Sequence, residues 1–406
     1  MQTELSQLPK LPNLVVAHSQ RNYSPSHHPS SFIVTGVKQK VIQSLIWINI
    51  LFLFIISSGN IVTGFKKALQ LRQLRNRYRN NFTLKKYRKI NSKYYSNYNA
   101  PGWPSKSFNR YINHLSNKML PGKPVTLHTV VFAITKKCGF KCEHCCEWEN
   151  LNQPEVLEKE DLLQIVSSFY LMGISQLQIS GGEPLNRFND ILFLLEHIPA
   201  GIDSWIYTTG YQLTPQKAQA LKQHGLTGIT ISIDDYDALK HDRFRGKPGA
   251  FLRAINACSF AVEAGLVVTF SICATRQFIT EDNLMAYAEL ARKHGATFIQ
   301  ILEPKAVGHY SGKDVTLTQP QILLLEQFFE KMNYSEAYLS YPLVAYHGYY
   351  SRKIGCAGGG KDYLYIDTDG DIHNCPFCQR KLFSALSDLL PEKIRQMRNG
   401  GCAVFS

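Results

Sequence analysis

Acidic side chains are nearly missing from the first third of this 406-residue sequence. Between Met1 and Val125 only Glu4 is acidic, against 19 Lys and Arg, so this segment carries +18. The remaining 26 basic and 30 acidic residues leave the larger part at −4. The formal net charge of +14 is therefore a local property. It excludes a broad phosphate-binding surface on the larger part, and nucleic acid is disfavoured as a partner. Charge is absent altogether from Val41 to Val62. A cleaved signal peptide is disfavoured by the 40 residues that precede this run. The ten cysteines do not read as the disulfide framework of a small secreted chain. Seven stand in two tight groups, with Cys402 near the end, and close C-x-x-C spacing in a long chain points to metal or redox chemistry.

Residues 1–40 are rich in Ser, Pro, His and Asn without sustained periodicity, and are predicted to be disordered. Residues 41–65 read as a membrane helix, since the 22 residues Val41–Val62 are long enough to cross ~30 Å of hydrocarbon. A spanning helix is favoured over one lying on the surface, and both over a buried soluble helix. The basic run from Lys66 to Lys93 then belongs on the cytoplasmic side, against an anionic membrane surface. Residues 66–125 read as this basic segment plus a linker or barrel-edge cover. No separate small domain suited to gripping a leader peptide stands out.

From Thr126 strand and helix signals alternate. Strands are predicted at 128–135, 176–180, 204–208, 228–233, 266–273 and 298–302. Helices are predicted at 158–171, 188–197, 215–224, 250–264 and 281–294. Six β units with five intervening helices predict a parallel α/β fold, an open partial (β/α)6 barrel rather than a closed barrel of eight. A further helix is predicted over 321–332, then an irregular Tyr-rich stretch over 334–350. A hairpin is predicted at 363–373, turning at Thr368-Asp369-Gly370.

The first strand is followed by Cys138, Cys142 and Cys145, spaced C-x3-C-x2-C. Three thiolates can hold three irons of a four-iron cluster and leave the fourth iron open to a small molecule. Loops at the C-terminal ends of parallel strands are also where barrel chemistry sits. The alternative is structural zinc, which usually completes four ligands locally; adjacent Cys146 is poorly placed as the fourth. After the second strand stands Ser180-Gly181-Gly182-Glu183-Pro184, where two glycines permit close backbone approach and Glu183 offers an acceptor.

With His144 as the aromatic before the last cysteine, C-x3-C-x2-C resembles the signature of the radical S-adenosylmethionine (SAM) superfamily. The resemblance covers about Thr126–Glu303. It implies that Cys138, Cys142 and Cys145 ligate a 4Fe–4S cluster whose open iron chelates SAM. It also implies that Gly181, Gly182, Glu183 and Pro184 lie at the SAM amino group. Reductive cleavage to methionine and a 5′-deoxyadenosyl radical would follow, then hydrogen abstraction from substrate. Thr208-Thr209-Gly210 is similar to a T-N-G element, with Thr209 in place of Asn. Ser232 and Asp234 stand where SAM ribose or substrate would be touched; helix capping is the alternative for Asp234. The segment His241–Gly246 resembles one found in peptide- and protein-modifying members.

Cys356, Gly370 and Cys375 match the C-x(9–15)-G-x4-C opening of the auxiliary-cluster extensions called SPASM and twitch. Cys378 and Cys402 complete four candidate ligands for an auxiliary 4Fe–4S cluster in a shortened, twitch-like region over 311–406. Zinc is the competing occupant. The radical SAM core is expected over 126–310. The expected activity is that of a membrane-associated radical SAM oxidoreductase, its catalytic part cytoplasmic. Its substrate would be a peptide, a protein or a lipid-like molecule, and its electrons would come from a carrier such as flavodoxin or ferredoxin. The other readings are a non-catalytic metal-binding membrane protein and a radical SAM enzyme modifying nucleic acid.

Overall fold

The computed structural model describes residues 31–123 and 126–397. Residues 1–30, most of the segment predicted to be disordered, and Cys402 lie outside the described residues. The chain opens with strand β1 (Ser31–Val34), helix α1 (Gly36–Ser58) and helix α2 (Ile61–Tyr78). Strands β2 (Tyr87–Ile90) and β3 (Lys93–Tyr95) and helix α3 (Lys106–Met119) follow. β1, β2 and β3 form an antiparallel sheet. Three expectations are corrected here. Residues 31–40 are a strand and the start of a helix. The apolar helix runs 36–58 rather than 41–65. The supposed basic linker is largely helix and strand, so a small folded unit does precede the barrel.

The boundary between the two helices has a local cause. Gly59 adopts φ 67°, and its N–H reaches the Ile55 and Ile56 carbonyls. The Asn60 side chain then caps α2 through the Thr63 N–H at 3.0 Å. A β-carbon at Gly64 would lie 2.6 Å from the Ile55 Cα, so glycine lets α1 and α2 touch backbone to backbone.

The larger part contains β4 (Thr129–Ala133), α4 (Lys159–Leu171), β5 (Gln176–Ser180), α5 (Phe188–His197) and β6 (Asp203–Thr208). Next come α6 (Pro215–Gln223), β7 (Gly228–Ser232), α7 (Ala238–Arg245), α8 (Ala250–Glu263) and β8 (Val267–Cys273). Then come α9 (Glu281–Lys293), β9 (Phe298–Leu302), α10 (Gln319–Tyr334), β10 (Leu343–Tyr346) and α11 (His347–Ile354). The end is β11 (Tyr363–Ile366), β12 (Asp371–His373), β13 (Phe383–Ser384) and α12 (Leu390–Met397). The sheet order is β10-β9-β8-β7-β6-β5-β4-β11-β12-β13.

Every neighbour pair from β10 to β11 is parallel, giving eight parallel strands where six were predicted. The extra strands are β10 and β11, which extend the two edges. β10 was hidden in the Tyr-rich stretch because all four of its residues are buried, which removes the in–out alternation that marks a strand. β11 is the first arm of the predicted hairpin, and it joins the barrel sheet beside β4. β10 and β13 do not pair, so the barrel stays open.

The first folded unit covers one end of this sheet. Ile50 and Phe54 of α1, Ile112 of α3, Tyr95 and Tyr98 share one apolar cluster with Trp205, Val267, Phe298 and Leu343. The last three open β8, β9 and β10. The unit is thus a cap on the N-terminal ends of the strands. Each large side chain buried there contributes about 1.5–3 kcal/mol. Part of the basic run serves this contact rather than lipid: buried Lys86 donates to the Tyr338 and Tyr341 carbonyls, each at 2.7 Å. The opposite, C-terminal ends of the strands remain for chemistry.

Candidate active site

The loop after β4 holds Cys138, Cys142 and Cys145, and its neighbours fix its path. The Lys141 N–H donates to the Arg245 carbonyl at 3.1 Å and the Glu143 N–H to the Phe244 carbonyl at 3.0 Å. On the other side the His309 N–H donates to the Cys145 carbonyl at 2.9 Å, and His309 Nδ1–H to the Cys142 carbonyl at 2.8 Å. Asn152 closes the start of the loop, accepting from the Cys138 N–H at 3.1 Å and donating to its carbonyl at 3.0 Å. Cys142 packs on Phe140 and Ala250, with Cys138, Cys145 and Tyr211 against the same cluster.

Burial, with the other thiols nearby, pushes the Cys138 thiol up to about 11 and the Cys145 thiol up to about 12. A bound cation reverses that balance and holds such groups as thiolates. Among the described residues, no three His, Cys, Asp or Glu side chains converge tightly enough for a single ion. Three thiols on one loop suit a multi-iron cluster with one iron left open. Cys146 neighbours Glu147 and Tyr365 instead. Cys258 and Cys273 are fully buried packing residues.

Gly181 and Gly182 run directly beneath the cysteine loop. The Gly182 N–H donates to the Thr135 carbonyl at 2.7 Å, and the Glu183 N–H to the Lys137 carbonyl at 2.8 Å. A β-carbon on Gly182 would meet the Lys137 oxygen at 2.5 Å, and Gly181 sits at φ 142°. Pro184 starts a short 3-10 turn, and Glu183 is only 2 % exposed. Its carboxylate accepts from Thr208 Oγ1 (2.6 Å), the Thr209 N–H (2.8 Å), Thr209 Oγ1 (2.5 Å) and the Leu185 N–H (3.1 Å). Thr209 therefore keeps a polar contact to Glu183 despite replacing Asn. A ligand amino group here would take over one of the rotatable hydroxyl contacts.

Ser232 is half-buried at the end of β7. Asp234, expected at ribose or substrate, is instead engaged by protein. It accepts from Arg245 Nε at 2.5 Å and the Cys273 N–H at 2.9 Å. Arg245 also places Nη1 3.6 Å from the Cys142 sulfur. Burial alone would raise the Asp234 carboxyl and lower Arg245; their mutual attraction outweighs it in both and reverses each shift. Sequence reasoning noticed the His241–Gly246 segment but missed that Arg245 links Asp234 to Cys142. It also missed His309, stacked on Trp148 at 3.9 Å. No local signal marks either contact. His144 stacks on Phe244 with ring centroids 5.0 Å apart. Its Nδ1 is buried without a hydrogen-bond partner among the described residues, leaving a polar atom for a bound group.

At the far edge, Cys375 and Cys378 stand with sulfurs 3.4 Å apart, and the Gly358 N–H contacts the Cys356 sulfur at 3.3 Å. The Gly359 N–H donates to the Asn374 carbonyl at 2.8 Å, which ties the Cys356 loop to the Cys375 turn. The structure thus sets Cys375 and Cys378 in contact and ties the Cys356 loop to their turn; Cys402 lies outside the described residues.

An open parallel barrel with a three-thiol loop and a glycine-cradled carboxylate at its C-terminal mouth defines a class of iron–sulfur enzyme. Residues 132–291 match the family described as the Radical SAM superfamily. The protein is a radical SAM enzyme. GTP 3′,8-cyclase of Xanthomonas axonopodis pv. citri is 25% identical over 278 residues, which span 65% of this chain and 78% of that protein. Mycofactocin maturase MftC of Mycolicibacterium smegmatis is 27% identical over 263 residues, 63% of this chain and 66% of the relative. Streptococcus suis SuiB bound to precursor peptide SuiA superposes with a TM-score of 0.55 at 16% identity, covering 84% of this chain and 80% of that one.

The residues present fit the family's cofactors, a 4Fe–4S cluster and SAM. Cys138, Cys142 and Cys145 would hold the cluster, and Glu183 with Gly181 and Gly182 would receive SAM. When bound, the pair supplies a 5′-deoxyadenosyl radical. The chain's own residues hold the thiols in place, orient Glu183 through Thr208 and Thr209, and set the Arg245 charge beside Cys142.

Proposed function

We propose that this radical SAM enzyme abstracts hydrogen from a peptide or protein. The observation that carries the reading is the shared architecture over most of the chain with SuiB in complex with its precursor peptide. The relation to a mycofactocin maturase supports it. Cys356, Cys375 and Cys378, with Cys402, hold an auxiliary 4Fe–4S cluster, and electrons arrive from a small carrier such as flavodoxin or ferredoxin. The extension supports this by bringing three thiols to one edge of the sheet that also carries the cysteine loop.

The test uses anaerobically reconstituted full-length protein, SAM and a strong reductant. Uniformly deuterated peptide, lipid and RNA fractions from the producing cells are supplied in turn. Deuterium should enter 5′-deoxyadenosine from the peptide fraction. Transfer from the lipid or RNA fraction alone would overturn the substrate class. Iron analysis should give about eight irons per chain, against about four if the C-terminal thiols hold zinc.

A further inference from the structure

The cap on the strand N-termini presents two features that the chemistry at the other pole does not use. The first is apolar. α1 buries Gln39, Ile42, Ile46, Ile50 and Phe54 on one side. On the opposite side Val41, Leu45, Ile48, Phe52 and Ile56 are each at least 43% exposed. Both rows recur every three or four residues, so they are two faces of one helix. Ile61, Val62, Phe65 and Leu69 of α2 are exposed as well. Scattered apolar residues on a soluble surface need no explanation, but two adjacent helices lined this way do.

The second feature is a cavity of about 140 Å³ between α1, α2, β2, β3 and α3. Arg72, Arg75 and Arg79 line it, with Trp47, Tyr94 and Trp103 among its aromatic walls. Arg72 and Arg75 each stand 5.7 Å from the centre of the Trp47 ring. Among the described residues none of these three arginines is ion-paired. No carboxylate is near in sequence either, because no Asp or Glu occurs between Glu4 and Glu143. Three guanidinium groups around one cavity without a counter-charge suit a phosphate, which arginine recognises in a bidentate fashion.

We propose that the cap docks in the plane of an anionic phospholipid bilayer, its arginine cavity taking a lipid headgroup phosphate. The exposed apolar face of the α1–α2 hairpin enters the headgroup–acyl boundary, while the opposite row of α1 stays seated on the protein. The length of α1 would also allow a span, but its buried row is already seated on this protein. A spanning α1 would have to leave that seat and expose Phe54 and Ile50, both fully buried.

This placement orients the enzyme. The cap lies on the strand N-termini and the thiol loop on the C-termini, separated by strands of five residues or more in β4–β9, on the order of 17 Å. The mouth therefore faces the aqueous phase, and substrate reaches it from solution. The inference stands on the cap alone and does not depend on the peptide reading.

The test is flotation of the reconstituted full-length protein with phosphatidylcholine vesicles and with phosphatidylcholine–phosphatidylglycerol vesicles. Binding should favour the anionic vesicles by at least tenfold. Arg72→Gln should weaken it roughly fivefold, the effect of about one basic contact on an anionic surface. Phe52→Ser with Ile56→Ser should abolish flotation while SAM cleavage continues, showing the variant folded. Protease added outside the vesicles should remove an N-terminal epitope. Equal binding to both vesicle types, or no binding with self-association in solution, overturns the proposal. So does inorganic phosphate stabilising wild type but not Arg72→Gln when neither floats. A protected epitope replaces docking in the plane with a span and overturns it too.

Discussion

The two poles of the sheet are built by opposite means. The mouth is assembled from backbone carbonyls, glycines and a few buried charges drawn from residues 134 to 309. The base is closed by aromatic and aliphatic side chains of residues 34 to 119 packed on strand starts. At the mouth an added β-carbon collides with backbone, as Gly182 and Gly308 show. At the base the fit is one of bulk, with Tyr98 packed edge-on to both Trp205 and Phe298. Parallel strands leave loops at one end for ligands and require cover at the other. Damage to the mouth should thus appear in chemistry, and damage to the base in stability or attachment.

The largest expected effect is at the mouth. Cys142→Ala should lower 5′-deoxyadenosine formation by more than about 100-fold, since losing a ligand exceeds the effect of losing its support. The melting temperature of the cluster-free protein should hold. Retained activity would remove the thiol loop from the chemistry. At the base, Phe54→Ala should cost about 3–5 kcal/mol of stability in denaturant titration, because the ring is wholly buried. A cost below 1 kcal/mol would mean that the cap and barrel are not one packed unit.

Acid should loosen the base as well. Burial holds His128 down to about 4, with Nε2–H donating to the Asn99 carbonyl at 2.6 Å and Nδ1 2.5 Å from the Ser175 hydroxyl. The unfolded chain binds this proton near 6.5 and the folded chain only near 4. Stability therefore falls as pH drops from about 6.5 to about 4, by roughly 2–3 kcal/mol, and this contribution is flat below that. The His128→Gln variant should show a shallower slope over the same window; an unchanged slope would assign the loss to other groups.

A smaller effect is expected at Glu183. Thr209→Val removes one hydroxyl donor and leaves the backbone N–H, so KM for SAM should rise about tenfold with little change in thermal stability. A fall in kcat alone would place Thr209 elsewhere in the cycle. The smallest effect belongs to Phe52→Ala, within about 0.5 kcal/mol of wild type in solution, because the ring is 59% exposed. Its contrast with Phe54, two residues away, separates the face of α1 that holds the barrel from the face left open.

Much of this protein is legible along the chain. The order of strands and helices from β4 to β9, the thiol triad and the Gly-Gly-Glu-Pro element are local patterns, fixed by periodicity and spacing. The helix α7 over 238–245 was missed because it is short and polar, with no apolar stripe to mark it. The seventh and eighth parallel strands came only from pairing at the two edges of the sheet. α1 is apolar on nearly every side, so nothing in its pattern could say which face packs; the barrel base chose the row from Gln39 to Phe54. The link from Asp234 through Arg245 to Cys142 joins residues 103 positions apart, and no local preference encodes it. The sequence by itself determined the chemistry available and the elements that carry it. Only tertiary packing decided which charges meet the thiols, and that the basic, apolar cap lies at the pole opposite the site. Burial and long-range hydrogen bonds are properties of neighbours in space rather than of neighbours in the chain.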